Sequence, residues 1–169
     1  MQGKKKSYRL LTFVLLLTMT SFFSCSKDGD SDGEADDAFI EFTISGTTYR
    51  YNNCAIVKGI ASGGYNRYVI SGQQGNTLNQ NAIQIEVTPN VPGAELQPGE
   101  LSTSNTFIRF YYTDGTGRSF SSAGTSPLPS MQVSAITSRK VNVSTFNARL
   151  TDGTITQTMT GSLSARWTQ

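Results

Sequence analysis

Histidine is absent from the 169 residues, and with it go the commonest general base and the commonest transition-metal ligand. Ser-His-Asp and Cys-His nucleophile systems and His-based zinc sites are excluded on that ground alone. Cysteine is scarce too, with only Cys25 and Cys54. Charged residues make up 15% of the chain, and the formal net charge of +2 hides an uneven distribution. Lys4, Lys5, Lys6 and Arg9 open the chain, six acids crowd between Asp28 and Asp37, and beyond Ala38 nine basic and six acidic residues are scattered. No basic stripe forms, so a nucleic-acid partner is not expected. No apolar run is long enough to span a bilayer as a helix: Leu10 to Phe23 ends after fourteen residues, where roughly 20 are needed.

What is present at the start reads as a secretory leader, a basic segment followed by an apolar one. It runs into Phe22-Phe23-Ser24-Cys25, which resembles the lipobox of bacterial lipoproteins: Ser24 fits the small residue before the cysteine, and Phe22 stands where Leu is usual. The resemblance implies cleavage before Cys25, modification of its thiol by a diacylglyceryl group carrying fatty acids such as palmitate, and a lipid-anchored mature chain. Residues 26–37, SKDGDSDGEADD, carry no large apolar side chain and cannot bury enough surface to order themselves, so they are read as a solvated tether. This acidic stretch is similar to the one that follows the acylated cysteine in Bacteroidota lipoproteins exported to the outer leaflet of the outer membrane. That resemblance implies display at the cell surface, with the periplasmic leaflet as the alternative. Asp28, Asp30, Asp32 and Gly33 also match the opening of an EF-hand loop. Its twelfth position is Phe39 instead of a bidentate Glu, and no helical pattern flanks it, so neither calcium nor another cofactor is expected. The domain plan is a signal peptide over 1–24, the acylated cysteine and tether over 25–37, and one domain over 38–169.

Beyond the tether the hydrophobic period is two, as in half-buried strands. Ile40, Phe42 and Ile44 alternate with Glu41 and Thr43; Ile83, Ile85 and Val87 alternate with Gln84 and Glu86. Turn residues at Ser45-Gly46, Gly63-Gly64, Pro89 to Gly99, Asp114-Gly115 and Pro127/Pro129 separate the runs. Asp152-Gly153 predicts a two-residue hairpin turn that sets Leu150 opposite Ile155, Ala148 opposite Gln157 and Phe146 opposite Met159. Val141 and Val143 are out of phase with Phe146, Ala148 and Leu150, which predicts a β-bulge at Ser144/Thr145. With that bulge Val143 would face Gly161, Val141 would face Leu163, and Trp167 would cap one end of the core. Eight or nine short strands imply an all-β, antiparallel β-sandwich, with a closed lipocalin-like barrel as the alternative. The stretch TFNARLTDGTITQTMTGSLSARW resembles the closing hairpin of small Bacteroidota lipoproteins of unassigned function, a resemblance that implies an address and a fold without a chemistry.

Cys54, beside Ala55-Ile56, is expected to be a small buried thiol, without a disulfide partner if Cys25 is acylated. Glycoside hydrolysis needs two carboxylates across a cleft. Glu41 and Glu86 fall on solvent faces, Asp114 and Asp152 in turns, and Glu95 and Glu100 in a Pro/Gly-rich loop, so no enzyme is expected. On the strand through Thr106 to Thr113, Phe107, Arg109 and Tyr111 share one face and Ile108, Phe110 and Tyr112 the other. Either both faces are covered, or Phe107, Arg109 and Tyr111 form an exposed patch that meets a partner. The expected role is non-catalytic interaction with a glycan or protein at the envelope. The alternatives are a structural accessory of an envelope assembly and, in a barrel, a carrier of a small apolar ligand.

Overall fold

The computed structural model describes residues 37–52, 54–75 and 80–168, all within one compact unit, Asp36–Gln169. Cys25, the acids from Asp28 to Asp36 and the leader lie outside the described residues. The fold is all-β and mostly antiparallel, as the alternation predicts, with eleven strands among the described residues. In chain order these are β1 (Phe39–Ile44), β2 (Thr47–Tyr51), β3 (Cys54–Ala61), β4 (Tyr65–Gln73), β5 (Ala82–Pro89) and β6 (Gly99–Leu101). They continue with β7 (Thr106–Thr113), β8 (Ser119–Ser121), β9 (Ser130–Ile136), β10 (Lys140–Thr151) and β11 (Thr156–Trp167). The excess over the eight or nine strands expected comes from the three-residue β6 and β8.

Hydrogen bonding joins all eleven strands into one sheet that closes on itself through β10–β11; its two halves, β2-β1-β11-β10-β9-β6 and β3-β4-β5-β7-β8, serve as facing layers and meet at two seams. One seam is the parallel pair Arg166↔Ala55 and Trp167↔Ile56; the other is the single pair Thr151↔Ser121. The pairings close a ring, and side chains from both layers meet inside it, as in a sandwich. Phe42 of β1 meets Tyr112 of β7 at 5.5 Å between ring centroids, and Phe110 of β7 meets Phe146 of β10 at 5.3 Å. Ile40, Phe42, Ile44, Ile83, Ile85 and Val87 are all buried, so the phase read from the sequence is the phase that folds. Trp167 is partly buried, lies edge-on to Tyr68 at 6.0 Å and donates its indole N–H to the Thr137 carbonyl at 3.0 Å, capping that end of the core.

The β10–β11 hairpin contains the expected bulge but not the expected turn. Val143 pairs with Leu163 and Phe146 with Gly161, so Ser144 and Thr145 together face Ser162. Ser144 Oγ donates to the Gln132 carbonyl at 3.3 Å, partnering a group beside the irregular ladder. At the tip, the last pair is Thr151↔Thr156, leaving a four-residue loop where two residues were expected. Asp152 Oδ1 accepts from the backbone N–H of Thr154 at 2.9 Å and of Ile155 at 2.7 Å, and these side-chain caps stabilise the wider loop. Leu150 therefore faces Gln157 instead of Ile155, and Ala148 faces Met159. Phe146 faces Gly161 instead of Met159, Val143 faces Leu163 instead of Gly161, and Val141 faces Ala165 instead of Leu163. A shift of two residues preserves the side-chain phase. Met159, Leu163 and Ala165 stay buried, while Ile155, displaced into the loop, is 42% exposed.

Candidate ligand-binding face

Along β7 the even residues Ile108, Phe110 and Tyr112 are buried and the odd ones face outward from the β3-β4-β5-β7-β8 layer. Phe107 is 46% exposed, and Arg109 and Tyr111 are half-buried, so this side of β7 is only partly covered. The Arg109 guanidinium carbon lies 4.9 Å from the centroid of the Phe107 ring, and its Nη1 donates to the Tyr111 hydroxyl at 3.2 Å. Cation–π contact and hydrogen bond tie the three residues into one strip. At about 3.4 Å per residue, the strip from Phe107 to Tyr111 runs ~14 Å along the strand.

Antiparallel register sets Thr88, Glu86 and Gln84 of β5 directly across from Phe107, Arg109 and Tyr111. The Glu86 carboxylate is taken by Arg67 of β4 and by Gln84 Nε2, the latter at 2.9 Å. Two guanidiniums and one carboxylate leave this part of the face with a single positive charge. Beyond Tyr111 the surface sinks into an open depression of about 500 Å³, lined by Gln84, Tyr111, Ser119, Ser121, Thr151 and Asp152. Planar rings, a guanidinium fork, an amide and hydroxyls thus occur on one continuous surface, a set suited to stacking on a sugar ring and hydrogen-bonding its hydroxyls.

A second open depression, about 580 Å³, lies over the bulge of β10 and is lined by Glu100, Gln132, Thr145 and Asn147 together with the apolar Met131 and Phe146. Sequence reading missed it as a surface feature. The signal that could have found it was the predicted bulge itself, since bulges reshape a sheet face.

Of the remaining carboxylates, Glu41, Glu95, Asp114 and Asp152 hold structure together, while Glu100 lies in the short strand β6 instead of the expected loop. Glu41 pairs with Arg50 at 3.1 Å. Glu95 ties the loop after β5 to the sheet by accepting from Lys58 Nζ at 2.5 Å and the Tyr68 hydroxyl at 2.6 Å, and these two contacts hold it below its ordinary value. Asp114 is lowered chiefly by the Thr116 hydroxyl and Asp152 by the backbone N–H groups of Ile155 and Thr154. A carboxyl lowered by folding adds stability above its unfolded value and loses it as pH falls through the folded one. Thermal unfolding followed against pH should therefore give a midpoint that is level down to about pH 5 and falls below about pH 4. In the double substitution Asp114→Asn/Asp152→Asn the acid branch should be shallower, and an unchanged branch would contradict this assignment.

Cys54 is buried and unpaired with another cysteine, and burial pushes its thiol up to about 12, far from a reactive thiolate. Among the described residues no group of three or more His, Cys, Asp or Glu is placed to hold a metal ion. Comparison with known family models, curated proteins and solved structures found no match to this chain.

Proposed function

We propose that this chain is a non-catalytic, lipid-anchored protein of the cell envelope whose sandwich binds a glycan on the outer face of β7. The observation that carries the reading is the strip Phe107-Arg109-Tyr111, in which an exposed ring, a stacked guanidinium and a phenol lie in line beside an open depression. Burying an aromatic ring normally stabilises a core; a strand that turns rings to both of its sides uses one set for something else. The address comes from the leader and Cys25, with acyl chains holding the protein in the outer membrane. A protein partner is the second reading, because the exposed Thr47, Thr48 and Arg50 of β2 lie at the free edge of a layer, where a partner's strand could add. The apolar-carrier reading has less to support it, since Phe42, Tyr51, Tyr68 and Phe110 occupy the space between the layers.

Affinity electrophoresis through gels containing single polysaccharides tests the binding role. At least one polysaccharide should retard the chain, and Phe107→Ala or Tyr111→Ala should each weaken that retention about tenfold. Retention that survives both substitutions, with the fold intact, would remove β7 from the proposal. For the anchor, Cys25→Ser should abolish labelling by radioactive palmitate and move the protein out of the membrane fraction. Continued labelling would place the acyl group elsewhere.

A further inference from the structure

We infer that the glycan bound on β7 is acidic, with a sugar carboxylate received by Arg109; this rests on the glycan-binding reading above. Four other basic side chains of the domain, Arg50, Lys58, Arg67 and Arg118, each pair with a carboxylate. Among the described residues Arg109 meets none: its contacts are the Phe107 ring and the Tyr111 hydroxyl. The acid directly across the ladder, Glu86, is already engaged by Arg67 and Gln84, and its side chain is only 12% exposed. The charge of Arg109 is thus held on a surface by an aromatic contact and a neutral acceptor.

That support also orients it. Contact with Phe107 limits where the guanidinium can swing, and the bond to Tyr111 uses Nη1, which leaves the Nε/Nη2 edge with two parallel N–H groups. Such an edge matches the two oxygens of a carboxylate, a pairing that a lysine cannot reproduce. Phe107 on one side and Tyr111 on the other supply surfaces for the pyranose rings that carry the carboxylate. A neutral polysaccharide would use the rings and leave the fork unmatched.

The test compares polygalacturonate with its methyl ester, because esterification removes the charge and keeps the backbone. The full-length chain, purified in detergent, should be retarded more strongly in gels containing the acid than in gels containing the ester. Arg109→Gln should lose about tenfold in affinity for the acid while keeping the weaker retention by the ester, and Arg109→Lys should recover only part of the loss. Arg149→Gln, on the other layer, should behave as the unaltered chain. Equal retention by acid and ester, or retention by neutral polysaccharides alone, would overturn the acidic preference and leave the glycan reading standing. Equal retention by dextran sulfate would also overturn it, since the fork would then be reading charge without a carboxylate. No retention by any polysaccharide would remove the glycan reading itself.

Discussion

Substituting alanine for Gly161 is expected to destabilise the fold by about 3 kcal/mol or more, and the variant should accumulate poorly. A Cβ at this position would lie 2.2 Å from the Glu41 carbonyl oxygen, 2.9 Å from the Phe42 Cα and 2.6 Å from the Phe146 Cζ. Two of those atoms are backbone of β1, which pairs with β11 through Phe42↔Gly161, so relief requires moving a strand. The third belongs to a ring lying across the glycine from β10, the arrangement in which an aromatic covers a strand glycine. Urea titration followed by the fluorescence of Trp167 gives the measurement. Removing the ring as well, in Gly161→Ala/Phe146→Ala, should bring no rescue, because the clash with the carbonyl remains. A single variant within about 0.5 kcal/mol of the parent would show that β1 and β11 can separate freely, contrary to this account.

Phe42→Ala should lose about 3–5 kcal/mol, the range for emptying a large buried aromatic site. Its ring is 1% exposed and sits among three others: Tyr49 at 5.4 Å, Tyr51 at 5.2 Å and Tyr112 at 5.5 Å between centroids. Tyr49 and Tyr51 come from β2 and Tyr112 from β7, so one side chain joins the edge of one layer to the middle of the other. The phenols show the dryness of the place: burial is the main cause that pushes Tyr51 up to about 12, and Tyr112 is also raised chiefly by burial. Small adjustments of rings of this size do not refill a cavity there, so the midpoint of thermal unfolding should drop by about 10 °C or more. Phe42→Leu, which keeps most of the volume, should lose about 1–2 kcal/mol. A loss below about 1 kcal/mol for Phe42→Ala would mean that the layers are held elsewhere.

Local alternation made most of this architecture legible before any coordinates. Ile40, Phe42 and Ile44, or Ile83, Ile85 and Val87, can satisfy their burial only as strands with one face inward, and the break in phase after Val143 left a bulge as its simplest repair. The hairpin tip was misread because Asp-Gly is ambiguous: the same aspartate that favours a tight turn can cap two backbone N–H groups and hold a wider one. β6 and β8 escaped notice because three residues cannot show a period. On β7 the sequence displayed rings on both sides of one strand and left two outcomes open; lateral neighbours decide between them, and lateral register is not written in any single strand. Arg67 and Glu86 are nineteen residues apart and pair across β4 and β5. Their pairing, which leaves Arg109 without an acid, is a property of the assembled sheet.

The place of β11 also governs when this molecule can fold. It lies between β1 and β10 for most of its length and then forms a seam with β3, so its twelve residues are the interior of one layer and part of the junction to the other. The run from β3 to β5 consists of neighbouring hairpins and can form early. The β1–β2 hairpin, although it precedes the other described strands, has no sheet to join until Thr156–Trp167 exists. Contacts of such long sequence separation belong to topologies that fold in milliseconds to seconds and do so as a whole. A chain emerging from its N-terminal end would therefore remain uncommitted until Thr156–Trp167 had been made, the condition in which a polypeptide can still be threaded through a narrow pore.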